Sequence, residues 1–383
     1  MKLDVDVAIM GGGLVGSSAA LALRGKGLTV ALLDKGFCGA QASGINYGGV
    51  RRQGRPPEQL PLAQRSHAIW PRLAALIGLD GEYRRTGHLK LARTEAEMQS
   101  LESYARTAAG FGLDLELLDR KALQQRYAWI SDNAVGGSLS PSDGQANPRL
   151  VATGFAAAAR RAGASIFENT PALDFTHDGS SFVIEAAQKV GLRARYAINS
   201  AGAWSAPFAA AFGELVPLSS IYPAMIVTEP MEPVMTVNIG IEGGGIYARQ
   251  VERGNCIVGG ERGAALSDPD YSRPTGDGAV AIMRRAAAFF PTLRHAHAIR
   301  FWSGTEGATP DRNPVIGPST TTPGLIHAFG FSGAGFQVAP AVGEVLAELI
   351  CSGSTSTPIA AFSVSRFTDR AAEGTRVTAE REL

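Results

Sequence analysis

The sequence predicts a chain of α/β class. A parallel, helix-covered unit that the chain leaves and re-enters is interleaved with an α+β unit whose sheet is mostly antiparallel. Three observations predict it. A β-rich run carrying Val5, Val7 and Ile9 enters a glycine cluster, and a helical run of small and apolar residues from Leu14 to Leu23 follows at once. Similar transitions from strand through small residues into helix return at Asn199-Ser200-Ala201-Gly202-Ala203-Trp204 and again after Gly330. Between these visits, at about 81–145 and 215–300, mixed α and β signals lack the parallel rhythm.

The first transition is the most specific. Gly11, Gly13 and Gly16 stand in the G-x-G-x-x-G spacing, which serves a tight turn, close backbone approach to a pyrophosphate, and close packing of the helix on its strand. The helix start offers unpaired N–H groups and a positive dipole end. The next strand, Leu28 to Leu33, ends in Asp34, an acid ~20 residues on that can accept bonds from the ribose of an adenosine. Strand, glycines, helix, strand and acid in order mark a Rossmann-like dinucleotide site.

With 383 residues and 45% hydrophobic content the chain can bury a large core, divided between two units. A net charge of +1 without a long basic block argues against nucleic-acid binding. Asp4 and Asp6 stand where a signal peptide would carry its basic and apolar regions, and no run of about eighteen apolar residues suggests a spanning helix. Cys38, Cys256 and Cys351 fit neither a disulfide framework nor a metal cluster, so buried thiols, no metal and a cytoplasmic location are expected.

After Asp34, residues 35–50 are rich in Gly, Ser, Asn and Ala, a loop whose N–H groups can converge on an anion or a planar cofactor. The cluster Arg51-Arg52-Gln53-Gly54-Arg55 reads as solvated charge, with one arginine free to face a carboxylate. Helical spacing covers Leu60 to Ile77; Gly87 to Arg93 alternates as a strand. Thr94 caps a helix running to Ala109, and Asp119 a short one ending near Tyr127. Asn147 to Gly163 is a helix with Pro148 in its first turn, followed by a strand at 164–168. Strands follow at Phe182 to Glu185 and Tyr196 to Asn199, then a helix from Ala206 to Phe212. The second unit resumes with strands at Ile221 to Val227, Gly245 to Arg249 and Cys256 to Gly260, and a helix from Asp277 to Phe290. Leu325 to Phe329 is a strand and Pro340 to Cys351 a helix. The boundaries drawn from this are 1–80, 146–214 and 301–365 for the nucleotide unit, 81–145 and 215–300 for the other, and a charged tail over 366–383.

These motifs together carry a resemblance. The Gly11-to-Gly16 turn with Asp34, Ala42-Ser43, Tyr47-Gly48-Gly49, Asn199 to Trp204, Trp302-x-Gly304 with Thr309-Pro310-Asp311, Pro314-Val315-Ile316-Gly317 and the Gly330-to-Gln337 loop all contribute. The chain resembles the FAD-dependent amine and amino-acid oxidoreductases of the D-amino-acid oxidase superfamily, in the branch with glycine oxidase, sarcosine oxidase and D-amino-acid dehydrogenases. Within that branch it is similar to the beta subunits of opine oxidase and D-hydroxyproline dehydrogenase and to the C subunit of hydrogen cyanide synthase.

The resemblance implies an FAD-binding domain of Rossmann-like form and an extended, noncovalent FAD. Leu14 and Val15 would line the pyrophosphate turn, and Asp34 and Lys35 the ribose. Ala42, Ser43, Tyr47, Gly48 and Gly49 would meet the phosphates and flavin, Ala172 the adenine, and Ala201, Gly202 and Trp204 the ribityl side. Gly304 and the loop Gly330-Phe331-Ser332-Gly333-Ala334-Gly335-Phe336-Gln337 would complete the flavin site, N–H groups and helix dipole facing its pyrimidine end. It also implies hydride loss from the carbon beside an amine, giving an imine that hydrolyses.

Tyr247 and Arg249, two residues apart on a strand, are candidates for facing substrate. One departure from the resemblance matters. Relatives often carry Gly-x-Arg before Thr-Pro-Asp, clamping a substrate carboxylate, and here the turn reads Gly304-Thr305-Glu306-Gly307. Arg51, Arg52 or Arg249 then takes the carboxylate, or the substrate presents a cation at Glu306, or a partner subunit completes the pocket. Gly243-Gly244-Gly245 leads into a strand, so there is no second nucleotide fingerprint. Electrons then leave to oxygen, a quinone, or partner subunits with further redox cofactors, which can place the chain at the inner face of the membrane. A flavoprotein electron-transfer or scaffold subunit with a vestigial pocket stays open as the alternative.

Overall fold

The computed structural model describes residues 1–267 and 270–367. The charged tail expected over 366–383 falls outside the described residues from 368 onward, while Arg366 bonds to Asp311 at 2.8 Å.

The first sheet runs Val315–Pro318, Leu325–Phe329, Val190–Asn199, Lys2–Met10, Val30–Leu33 and Ser165–Phe167, with Phe182–Ala186 paired to Val190–Asn199 and Ala172–His177 paired to Phe182–Ala186. Lys2–Met10 sits at the centre and pairs in parallel on both sides, Val7 opposite Val30 and opposite Tyr196. Its second half, Val7 to Met10, is buried and reads as a continuous apolar run, whereas Lys2 to Asp6 alternates polar and apolar. The helix Leu14–Gly25 packs on one face with the last helix, Gly335–Ser352. Their approach is so close that a Cβ on Gly343 would sit 2.2 Å from Ser18 Oγ.

The second sheet runs Ala298–Ser303, Pro223–Pro230, Asn255–Arg262, Tyr247–Gln250, Asn238–Ile241, His88–Ala92, Gly136–Ser140 and Glu116–Asp119. Every neighbour is antiparallel except Asn238–Ile241 against His88–Ala92. Ala298–Ser303 crosses the border drawn at 300/301 and pairs with this sheet. The helix Gly276–Phe289 covers one face through Ile282 and Ala286. Thr94 and Asp119 cap their helices, accepting the N–H of Glu97 and of Ala122.

Three expectations need correction. The helix expected over 60–77 is two, Leu60–His67 and Leu73–Ile77, broken at Trp70-Pro71. Pro71 has no N–H to continue the ladder, and the break turns the Trp70 indole to donate to the Gln337 carbonyl at 2.9 Å. The last helix starts at Gly335, five residues before the expected Pro340, which lies inside it. At 18 residues with mean hydropathy 1.2 this helix is long and apolar enough to cross a membrane by length and composition alone, but 67% of it is buried in the core. Cys351 is exposed, because the end of that helix rises out of the core, whereas Cys38 and Cys256 are buried.

A buried pair fixes the edge of the first sheet. His327 Nε2 and Glu214 Oε2 lie 2.6 Å apart, and Thr320 donates its N–H and hydroxyl to Glu214 Oε1. Burial alone would raise the Glu214 carboxyl, but the bonds from His327 and the Thr320 N–H outweigh it and hold it down at about 2. A depressed carboxyl contributes stability that is present above its unfolded value and lost as pH falls through its folded value. Melting temperature is therefore expected to fall between pH 4.5 and about 2. Glu214→Gln should cost roughly 2 kcal/mol at pH 7 and flatten that acid limb in calorimetry.

Candidate functional site

One cavity of about 1420 Å³ connects the two sheets, well above the roughly 300–1,000 Å³ of an ordinary small-ligand pocket. It runs from the Gly11–Leu14 turn and Asp34, past Ala42, Ser43, Ala172, Ala201, Gly202 and Trp204, to Tyr247, Glu306 and the loop Gly330–Gln337.

At one end the glycine turn is built as its spacing predicts. Gly11 has φ +103°, and a Cβ there would sit 2.3 Å from the Ser200 carbonyl oxygen. A Cβ on Gly16 would sit 2.0 Å from the Gly11 carbonyl oxygen; Gly16 serves strand–helix packing and does not line the cavity. The Leu14 N–H donates to Ser43 Oγ at 2.8 Å, tying the 35–50 loop to the helix start. Part of that loop is a short helix, Ala42–Ile45. Asp34 accepts the N–H of Gly12 on one oxygen and of Gly36 on the other, both at 2.7 Å. Each oxygen keeps a lone pair for a ribose hydroxyl. Burial raises the Asp34 carboxyl, and those two N–H bonds oppose it. Lys35, expected at the ribose, lies 3.7 Å over the Trp204 ring and pairs with Asp270, which also accepts the Trp204 indole N–H.

At the other end, Gly330 and Gly333 turn the chain into the helix Gly335–Ser352, whose first N–H groups have no intrahelical partner. Tyr47 Oη and Gln337 Oε1 are buried, line the cavity, and have no hydrogen-bond partner among the described residues. Orphaned polar atoms of this kind are rare unless a ligand meets them. The glycine cradle, the acid with free lone pairs, the unpaired helix N–H groups and these orphans fit an extended dinucleotide with a planar polar ring.

Between the ends, the Tyr47 and Tyr247 rings meet edge to face, centroids 4.8 Å apart. Burial raises both phenols, and for Tyr247 the nearby Glu306 charge adds to it. Glu306 accepts the Gly333 N–H; burial raises its carboxyl, while that bond and the charge of Arg312 oppose the rise.

The basic cluster divides by environment. Arg52 is spent on structure: Nε meets Asp143 Oδ1 at 3.0 Å, Nη1 meets Gln64 at 2.7 Å, and Nη2 meets Ser142. Arg51 lines the cavity, its Nη1 on the Gln53 carbonyl at 2.5 Å. Arg55, read from the sequence as solvated, is 4% exposed and lines the cavity too. It donates to the carbonyls of Arg51 and Ala334 and to Gln59 Oε1. Burial lowers the Arg51 guanidinium, and with the charge of Arg51 it brings Arg55 down to about 9. Neither makes a salt bridge among the described residues. The i, i+4 spacing of Arg51 and Arg55 is visible in the sequence, but only the fold shows that both sides of the loop are covered. His88, also missed, lines the cavity with Nδ1 3.0 Å from Gln53 Oε1, and burial keeps its ring neutral.

Two candidates are corrected. Arg249 does not line the cavity: Nε donates to the Tyr47 carbonyl at 2.6 Å and Nη1 to Gln145 Oε1 at 2.9 Å, so it braces the Tyr47–Gly48 turn from behind. Gly304 does not line it either. A Cβ there would sit 1.1 Å from Ile45 Cδ1, so it makes room for Ile45, whose carbonyl accepts the Trp302 indole N–H at 2.8 Å.

Comparison with known proteins points one way. The family model DAO, FAD dependent oxidoreductase, matches residues 6–349. The chain is 28% identical over 373 residues to glycine oxidase of Geobacillus kaustophilus (strain HTA426), covering 94% of this chain and 97% of that one. It is 26% identical over 383 residues to the B subunit of opine oxidase of Rhizobium meliloti, covering 97% and 100%. The crystal structure of glycine oxidase from Geobacillus kaustophilus superposes with a TM-score of 0.88 at 26% identity, covering 94% and 98%.

Proposed function

From the premise that this chain belongs to the DAO family of FAD-dependent oxidoreductases, we propose that it oxidises an amino or imino acid at the carbon beside its nitrogen. The observation that carries this reading is the chamber between the dinucleotide groove and the second sheet. It places the guanidinium groups of Arg51 and Arg55, which make no salt bridge among the described residues, and the Glu306 carboxyl beside two phenols that meet edge to face. A carboxylate is the ligand group such guanidinium groups recognise, and a basic nitrogen the one a carboxyl recognises.

FAD, when bound, supplies the hydride acceptor. The chain's own residues orient and exclude water. Asp34 and the turn at Gly11 to Gly13 hold the adenosine and diphosphate end. The start of the helix Gly335–Ser352, with Arg55 bonded to the Ala334 carbonyl, adds positive potential at the opposite end, where it favours a group that gains negative charge on reduction. Tyr47 and Tyr247, protonated throughout the working pH range, wall the chamber and offer hydroxyls to substrate. The likeness to the B subunit of an opine oxidase supports a catalytic subunit whose partners carry electrons onward.

Anaerobic addition of glycine, proline, N-alkyl amino acids and D-amino acids tests the reading. At least one should bleach the flavin band within seconds, and NADH should not. A flavin bleached by none of them would sink it and favour a subunit that only relays electrons.

A further inference from the structure

Resting on that reading, we propose that the chamber holds its substrate as a zwitterion between two opposite charges, Arg51 taking the carboxylate and Glu306 the cationic nitrogen. Both residues line the same cavity. Arg51 follows the strand Gly49–Val50, with Nη1 fixed on the Gln53 carbonyl and its own carbonyl held by Arg55. Glu306 opens the strand Glu306–Ala308, which Ile221 fixes in register, and its Oε1 accepts the Gly333 N–H. Its Oε2 has no hydrogen bond or ion pair among the described residues.

Glu306 and Arg51 form no salt bridge with each other or with any described residue. A cation and an anion held apart in one partly desolvated chamber are complementary to a ligand charged at both ends. The order of the ends follows from repulsion. A carboxylate placed at Glu306 would meet like charge, so it goes to Arg51 and the nitrogen goes to Glu306.

This arrangement also gives the nitrogen's proton a destination. An ammonium has no lone pair with which to form a double bond. Transfer of one N–H proton to the Glu306 carboxylate breaks that N–H bond and frees the pair. The C–H bond beside the nitrogen then breaks, its hydrogen and electron pair passing to FAD as oxidant, and the lone pair forms the C=N bond. Glu306 retains the proton, and water hydrolyses the imine.

Two ligands of equal shape test the charge assignment on the FAD-loaded enzyme at pH 8. Glycine betaine carries a quaternary nitrogen that has neither proton nor lone pair, so it cannot be oxidised. In 3,3-dimethylbutanoate a carbon replaces that nitrogen. Perturbation of the flavin spectrum should show betaine binding at least about tenfold tighter to the wild type. Glu306→Gln should abolish the preference, with flavin content unchanged and the neutral acid bound within about threefold of wild type. Glu306→Asp should retain part of the preference, and Arg51→Gln should weaken both ligands. A wild type that prefers the neutral acid or binds neither, or a Glu306→Gln enzyme that keeps the preference, would overturn the proposal. A betaine preference in an enzyme bleached by no amine would instead sink the oxidation reading and leave this one standing.

Discussion

Gly16→Val is expected to yield a protein that cannot hold FAD. The smallest added atom, a Cβ, would lie 2.0 Å from the Gly11 carbonyl oxygen, and that contact is backbone on backbone. No rotamer relieves it, so the helix Leu14–Gly25 must shift away from the strand Lys2–Met10. The shift carries off the N–H groups that face the diphosphate. It also drags at Gly11, already at φ +103° and pressed against Ser200. Overpacking of this kind costs about 1–3 kcal/mol of stability, and displaced phosphate donors should raise the FAD dissociation constant at least ~1,000-fold. Absorbance of the purified protein near the flavin band, before and after adding FAD, reads the effect. Gly25→Ala is the control on the same helix. A Cβ there meets nothing within 4 Å, so flavin content should not change and stability should rise slightly.

Asp143→Ala has the second largest expected effect, on the chamber rather than the groove. Asp143 is wholly buried; Oδ2 accepts the N–H of Arg52 and Gln53 at 2.9 and 3.1 Å, and Oδ1 accepts Arg52 Nε at 3.0 Å. Removing it strands a buried guanidinium and two buried N–H groups at once. Breaking a buried pair from one side costs roughly 3–5 kcal/mol, which corresponds to a drop of about 5 °C in melting temperature for a chain of this size. Because Arg51 and Arg55 flank the segment that Asp143 pins, carboxylate affinity should fall with it, by about 100-fold. Asp143→Asn keeps an acceptor for the N–H groups and loses only the charge, so it should be milder in both readouts.

What the sequence showed was mostly what short-range chemistry dictates. The turn at Gly11 and the caps at Thr94 and Asp119 follow from residues close in sequence, and the structure builds them as read, whereas Asp34 reaches back to the Gly12 N–H. Local pattern puts the start of the last helix too late, because Pro340 suits a first-turn position although it lies inside the helix. The strands Ala172–His177 and Asn238–Ile241 leave little local signal, because each is short and gains its stability from neighbours distant in the chain. The basic cluster is the clearest case. Nothing local separates Arg51, Arg52 and Arg55, but Asp143, ninety-one residues beyond Arg52, occupies one of them and leaves two for the cavity. Strand alternation with Tyr247 points Arg249 toward substrate, but its long side chain bends behind the Tyr47 turn.

The central claim is that a single FAD lies between the amino-terminal glycine turn and the start of the last helix, held without a covalent bond. Acid precipitation of the purified, yellow chain tests it most directly. One FAD per chain should appear in the supernatant, leaving a white pellet. A folded chain that stays colourless after incubation with FAD, or a flavin that remains in the pellet, would contradict it.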